Sequence, residues 1–495
     1  MKLYERCAND IAELIRNNTL RPGDRLPSVR EASAARGVSR STVFQAYYLL
    51  ETRGLIEARS RSGYYVKVHR LPVKFSAPED STPACVSRDV DIGHLVFDLL
   101  GLAGRRDFVP LGSAFLSPSL CPLTRLARHL WTEMRDFDPW RLIEDLAPGN
   151  EALRRNLVLR YMTDGIAVNP AEIVLTNGAM EALNLCLRAV TRPGDIVAVE
   201  SPTFYGALQA IERLHLRAVE VATAPDRGID INALAAALEQ HRVAACWLMP
   251  NFQNPLGSLM PEDRKKALVE LLASKEIPLI EDDVYGELYF TEKKPPPAKA
   301  FDTQGLVMHC GSFSKSLAPG YRVGWVAGGR FAKKIEQLRL MYTISPAIPS
   351  EAAIAAYLDQ GSYDRHLRRM RQALTGYQAI AIDAVQEHFP HGTLMALPKG
   401  GYFLWIEMPS AVDALQLQTL ACKRGISLAP GPLFSSDRRF RQCLRLNYGH
   451  GGDPRFVPAL RAVGELAKLV MDESRGVAGG SGAPPQQDRT IRPAA

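Results

Sequence analysis

Between residues 170 and 310 one pattern recurs: a short continuous apolar run, closed by turn residues and followed by an amphipathic stretch of helical spacing. The runs are Ile173-Val174-Leu175, Ile196-Val197-Ala198-Val199, Cys246-Trp247-Leu248-Met249, Leu279-Ile280 and Leu306-Val307-Met308. A strand apolar at every position is covered on both faces, which predicts a mostly parallel sheet flanked by helices, an α/β class. No internal repeat accompanies the pattern. At 495 residues the chain exceeds one ordinary core, so more than one domain is expected.

Charge locates the other domain. Residues 1 to 70 hold 13 Lys and Arg against 7 Asp and Glu, so +6 of the chain's net +7 sits in its first seventh. A small basic module ahead of a nearly neutral body points to nucleic acid. Apolar residues at helical spacing (Leu3, Cys7, Ile11, Leu14, Ile15) predict a first helix to Arg16, stopped by Arg21-Pro22-Gly23-Asp24. Pro27-Ser28 opens a short helix through Ala35, Arg36-Gly37-Val38 turns the chain, and Ser39 caps a third helix to about Thr52. Two short helices joined by a Gly-containing turn form a helix-turn-helix. The runs 54–59 and 63–68, separated by Ser60-Arg61-Ser62, predict a basic hairpin beside it. Val29, Val43, Tyr47 and Leu50 are expected in the core of this module.

The remaining boundaries follow from composition. Residues 71–95 are rich in Pro, Ser and charge without periodicity and are expected to be a linker; 96–475 form the large domain; 476–495 are Gly, Pro and Gln rich and are expected to be a disordered tail. The opening residues lack the apolar segment of a secretion signal, and no run approaches membrane-spanning length, which predicts a cytoplasmic protein. Eight scattered cysteines without a CxxC pair argue against a zinc site or disulfide framework. There is no HExxH and no Walker A motif, and His388 with His391 lacks companion ligands, so no metal is expected.

The run 23–31 (GDRLPSVRE) followed by 37–43 (GVSRSTV) closely resembles the GntR family of regulators, over nearly all of residues 3–68. The resemblance implies double-stranded DNA as partner, with Arg30, Arg40, Ser41 and Thr42 at the DNA and the wing around Arg61, Ser62 and Gly63 approaching the minor groove. A first helical turn carrying an Arg and two hydroxyl residues is suited to base edges and phosphates.

In the large domain the segment 311–325 (GSFSKSLAPGYRVGW) is the strongest motif. A lysine amine condenses with an aldehyde only when close and partly deprotonated, and hydroxyls before it with an Arg seven residues after it suit a phosphate dianion. The segment resembles the lysine loop of fold-type I aminotransferases, whose cofactor is pyridoxal 5'-phosphate (PLP), and it implies Lys315 as the attachment point with Ser312, Ser314 and Arg322 at the phosphate. In Leu279-Ile280-Glu281-Asp282-Asp283-Val284-Tyr285 the same family match places Asp282 at the ring nitrogen and Tyr285 at the ring 3'-oxygen, where a carboxylate keeps the ring an electron sink. Asn254, in the turn Asn254-Pro255-Leu256-Gly257, would join Tyr285.

Thr176-Asn177-Gly178-Ala179-Met180 closes a strand and opens a helix, so the backbone N–H groups of Gly178, Ala179 and Met180 suit a phosphate. The family's Ser and Gln are replaced here by Ala179 and Met180. Phe204 is assigned to the ring face, with Tyr205 as the alternative, and Arg445 in Cys443-Leu444-Arg445-Leu446-Asn447-Tyr448 to a substrate carboxylate, a task suited to guanidinium. One position departs from the pattern. Five residues before Gly149, where relatives carry a Tyr that reaches the neighbouring subunit's phosphate, this chain has Glu144; either the register differs or that contact is absent.

A GntR module followed by an aminotransferase-like domain is the arrangement of the MocR subfamily. It implies a head-to-tail homodimer and a small amine or amino acid as effector. Two functional classes stand at this point. One is a transcription regulator that senses PLP or an amino compound; the other is a working amino-acid aminotransferase carrying a DNA-binding module.

Overall fold

The computed structural model describes the chain except residues 1–2, 17–18, 21–22, 53–54, 60–61, 67–77, 79, 94–95, 98–100, 102–104, 142–145, 147 and 480–495. Arg61 of the expected wing and Glu144 therefore lie outside the described residues. The chain divides into two compact units, Met1–Phe75 and Ser76–Ala495.

In the first unit, α1 (Leu3–Arg16), α2 (Val29–Arg36) and α3 (Arg40–Thr52) precede an antiparallel hairpin of β1 (Ile56–Arg59) and β2 (Gly63–Val66). The start of α2 is fixed by a reciprocal cap: Ser28 Oγ accepts from the Glu31 amide at 3.3 Å and the Glu31 carboxylate accepts from the Ser28 amide at 2.8 Å. Gly37 ends α2 in the left-handed region at φ +62°, which only glycine enters without strain. One apolar cluster holds the unit together, with Ile11, Leu26, Val43, Ala46, Tyr47, Leu50, Ile56 and Val66 buried and Val29 packed against it. Among the described residues the hairpin pairs Ile56 with Val66 and Arg59 with Gly63.

The second unit is built on an eight-stranded sheet ordered β3-β10-β9-β8-β7-β4-β5-β6. Its strands are β3 (Ile173–Thr176), β4 (Ile196–Ser201), β5 (Arg217–Ala224), β6 (Gly228–Ile229), β7 (Val243–Leu248), β8 (Leu279–Asp282), β9 (Val307–Ser312) and β10 (Gly324–Ala327). Pairs β4–β5, β4–β7, β7–β8 and β8–β9 are parallel, whereas β10 runs antiparallel to both β3 and β9. Alternate residues feed two cores: Val197, Val199, Trp247, Ile280 and Met308 on one face, and Ala198, Cys246, Leu248, Leu279 and Val307 on the other. This is why the strands read as unbroken apolar runs. A second, antiparallel sheet of order β11-β12-β14-β13 comprises β11 (Leu394–Met395), β12 (Phe403–Glu407), β13 (Ala429–Pro430) and β14 (Cys443–Asn447).

Within the 71–95 span expected as linker, two residues dock on the large sheet. Ser81 is buried, its Oγ donating to Ser201 O at 2.5 Å, and Arg88 exchanges two 2.9 Å backbone bonds with Ala218. Short polar segments lacking periodicity can still dock when a strand offers free backbone groups. At the other end, the helix Phe456–Gly479 runs into the segment assigned to the tail.

Candidate functional site

At the ends of β8 and β9 the second unit encloses a cavity of about 530 Å³. Ala179, Met180, Phe204, Asn254, Asp282, Tyr285, Ser312, Ser314, Lys315 and Arg322 all line it, as does Tyr205. Gly178 and Arg445 stand just behind the wall, against Arg322 and Asn254. Motifs spread over most of the domain thus converge on one space, as expected where parallel strands end in loops.

Three consecutive acids stand at the end of β8, and only Asp282 has a carboxylate oxygen without a hydrogen-bond partner among the described residues. Glu281 accepts from the Ala298 and Lys299 amides at 2.6 and 2.9 Å. Asp283 belongs to a chain on the far side: Trp325 Nε1 donates to Tyr161 Oη (2.9 Å), Tyr161 Oη to His309 Nδ1 (2.6 Å), and His309 Nε2 to Asp283 Oδ2 (3.1 Å). Asp282 lines the cavity with Oδ1 buried and without a hydrogen-bond partner. Burial lifts its carboxyl to about 7, opposed by the Val284 amide, raised further by Asp283 and lowered by Lys315.

Lys315 stands half-buried in the wall of the same space. Burial, together with Arg445 and Arg322, brings its amine down to about 8 against the pull of Asp282, so a sizeable fraction is nucleophilic near neutral pH. Its Nζ donates to Ala114 O at 2.7 Å and sits 4.9 Å from the Phe115 ring centre.

At one end of the cavity the helix Ala179–Val190 begins without a side-chain cap, leaving its first amides and positive end exposed to the space. Gly178, at φ +91°, is required there: a Cβ would lie 2.4 Å from Arg322 Nη2. Arg322 is held by Asn177 O (3.0 Å) and Ser314 Oγ (3.2 Å), and the Ser314 amide donates to Ser312 Oγ at 3.0 Å. An uncapped helix start, two hydroxyls and a fixed guanidinium together form an anion cradle.

Arg445, on β14, is fully buried; Nη1 donates to Asn254 Oδ1 at 3.0 Å and Nη2 to Gly112 O at 2.7 Å, while Nε has no partner. Its guanidinium carbon lies 4.3 Å from the Phe403 ring centre.

Sequence reasoning missed the segment Gly112–Phe115, which receives both Lys315 and Arg445. Asn447 Nδ2 anchors it at Ser113 O and Phe115 O (2.9 and 2.7 Å), and Tyr402 Oη at Ala114 O (2.9 Å). It works through carbonyl oxygens, which no side-chain pattern reveals. Glu200, which is not in the cavity wall, is buried with its carboxyl pushed up by burial to about 8, and accepts from the amide of the wall residue Met249 at 3.1 Å.

In the first unit Arg30, Arg40 and Ser41 are exposed and Thr42 is half-buried. Ser39 Oγ accepts from the Thr42 amide at 3.1 Å and lies 2.8 Å from the Ser41 and Thr42 hydroxyls, which fixes the first turn of α3. Phe44 and Tyr48 are 55% and 58% exposed, at four-residue spacing from Arg40, and extend that face with aromatic surface that sequence analysis did not single out. In the hairpin Ser62 Oγ is 2.7 Å from Tyr65 Oη, and Gly63 has φ +110°.

Comparison with known proteins matches both units. Residues 3–66 match the model of bacterial regulatory proteins of the gntR family, and residues 145–455 that of aminotransferase class I and II. The chain is 45% identical to the uncharacterized HTH-type transcriptional regulator YdcR of Escherichia coli K12, over 94% of its own length and 99% of the relative's. It is 38% identical to YjiR, another such regulator of the same organism, over 95% and 100%. Among solved structures, Pyrococcus horikoshii kynurenine aminotransferase superposes with a TM-score of 0.71 at 28% identity, covering 76% of this chain and 94% of the enzyme. The chain therefore belongs to the MocR type of GntR transcription regulators, DNA-binding proteins in which a winged helix-turn-helix is joined to a fold-type I aminotransferase domain of the PLP-dependent class.

Proposed function

We propose that the cavity of the second unit holds PLP and takes an amino acid or related amine as effector, and that its occupancy sets the affinity of the first unit for operator DNA. The observation that carries this reading is the unpaired Asp282 Oδ1, buried in the same cavity as a lysine poised near neutrality. A buried carboxylate oxygen without a partner is costly unless a ligand donor meets it, and a protonated ring nitrogen is such a donor.

The other residues fit the same molecule. The anion cradle of Gly178, Ala179, Met180, Ser312, Ser314 and Arg322 suits its phosphate, Asn254 and Tyr285 suit the ring 3'-oxygen, and Phe204 suits the ring face. Bound there, PLP supplies an aldehyde that Lys315 and amino compounds compete for. Lys315 holds or releases a proton at Nζ, Asp282 keeps the ring nitrogen protonated, and Arg445 offers the unpaired Nε beside its bonded Nη groups to a carboxylate. Ligand binding can alter DNA affinity only by favouring one of two states, so effector and DNA must influence each other reciprocally.

A homodimer belongs to this reading. Leu340, Met341, Tyr342 and Ile344, between 44% and 77% exposed, form an apolar edge next to the helix start at Met180, a surface that a second copy would cover.

The second reading, a working aminotransferase, is favoured by the presence of the whole Lys315, Asp282, Tyr285 and Arg445 set. Titration of the full-length protein with amino acids, recording the visible spectrum and operator binding together, separates the two. A regulator changes both at the same concentrations, whereas an enzyme consumes amino and keto acid with operator binding unmoved.

A further inference from the structure

A second cavity, of about 450 Å³, opens at the start of the helix Leu123–Arg135, against the helices Ile348–Asp359 and Ser362–His388. Among the described residues no carboxylate lines it. Arg125 and Arg369 stand in its wall, both exposed, and neither forms an ion pair among the described residues. Between them is Tyr357, fully buried, whose hydroxyl donates to no group among the described residues. Burial raises this phenol, while Arg125, by its charge and as a hydrogen-bond donor, and the charges of Arg369 and the neighbouring Arg365 pull it down, so three positive charges surround a hydroxyl whose own proton is left to donate. The helix Leu123–Arg135 starts after Pro122 without a side-chain cap, its Leu123 and Arg125 amides bonded to Cys121 O and Pro122 O, so it adds its positive end through the dipole. Leu123 and Met370 give the cavity an apolar side. The wall also reaches the Lys315 loop, because His366 Nε2 lies 2.9 Å from the carbonyl of Ser316.

Guanidinium forks, a buried phenol and a helix start converging without a carboxylate select an anion with several acceptor oxygens. The volume and the apolar side accommodate more than a bare ion. We propose that this cavity is a second ligand site, taking a small phosphate monoester whose dianion lies between Arg125 and Arg369 and accepts from the Tyr357 hydroxyl. The proposal does not depend on what fills the cavity at Lys315.

Calorimetric titration of the full-length protein, loaded with PLP and freed of excess so that only the first cavity's anion cradle is occupied, tests it with phenyl phosphate, inorganic phosphate and glutarate. Phenyl phosphate should bind saturably, once per chain, and more tightly than inorganic phosphate. Affinity should fall about tenfold or more in the Arg125→Ala/Arg369→Ala double variant, whose changes are on the surface, and by a smaller factor in Tyr357→Phe. The proposal is overturned by absence of saturable binding, by unchanged affinity in the double variant, or by glutarate binding as tightly as phenyl phosphate. Loss of operator affinity in the double variant, with no phosphate binding by wild type, would make this a nucleic-acid surface instead.

Discussion

Replacing Asp282 by Asn should free the cofactor-free protein of a loss of stability with rising pH and weaken cofactor binding. Asp282 has a carboxyl raised from an ordinary 3.8 to about 7, chiefly by burial. Its folded pKa lies above its unfolded one, so the folded state binds the proton more tightly. The stability this gives is fully present below about pH 4 and is lost as pH rises through 7. At 1.36 kcal/mol per pKa unit, the loss for wild type well above pH 7 is about 4 kcal/mol. Asn does not titrate. Between pH 5 and pH 8 the variant should gain about 2–3 kcal/mol on wild type, whatever the fixed cost of its buried amide. Glu200, raised to about 8 by burial and in part by the Asp282 charge, titrates over the same range, and the release of that charge in the variant changes the difference in the same direction. Cofactor binding should move the opposite way, since losing one charge-assisted hydrogen bond costs about 1.5–3 kcal/mol, roughly ten- to hundredfold in Kd. Urea unfolding of the cofactor-free proteins at the two pH values, with a fluorescence titration of PLP, measures both quantities. A pH-independent stability difference together with unchanged PLP affinity would refute the assignment of Asp282.

Three further outcomes follow from the sites. Lys315→Ala should abolish the adduct that borohydride fixes in wild type, and peptide mass spectrometry should place that adduct on Lys315 and no other lysine. Arg40→Ala should weaken specific operator binding by about 1–3 kcal/mol if Arg40 contacts a base, with cofactor content unchanged; equal affinity in gel-shift titrations would remove it from the recognition surface. Arg445→Lys keeps a cation but loses the fork, so PLP should still bind while the concentration of amino acid needed for a spectral response rises about tenfold or more. An unaltered response would take Arg445 out of effector binding.

Much of this was legible from sequence because it rests on local rules. The cap at Ser28, the turn at Gly37 and the apolar runs of β4, β7 and β8 depend on neighbours a few residues apart, and spacing alone reveals them. The family motifs also identified side chains that converge on one cavity, although nothing local requires Asn254, Asp282 and Lys315 to meet. What stayed hidden depends on partners far along the chain that act through the backbone. Gly112 and Ala114 receive Arg445 and Lys315 through carbonyl oxygens, a property every residue shares. Ser81 and Arg88 dock through backbone or single hydroxyl bonds to β4 and β5, which a composition typical of linkers conceals. The choice among Glu281, Asp282 and Asp283 rested on the family match, and the geometry supplies the physical reason: the amides of Ala298 and Lys299 take the first, and His309 and Asn251 take the third.

The most direct test of the central claim is to titrate full-length protein, loaded with PLP and bound to operator DNA, with a panel of amino acids while following the visible spectrum and DNA anisotropy in one cuvette. The account predicts at least one amino acid that changes both signals with the same half-saturating concentration, and loss of both changes in Lys315→Ala. Rapid multiple turnover of amino and keto acids, with anisotropy indifferent to every amino acid tested, would contradict it.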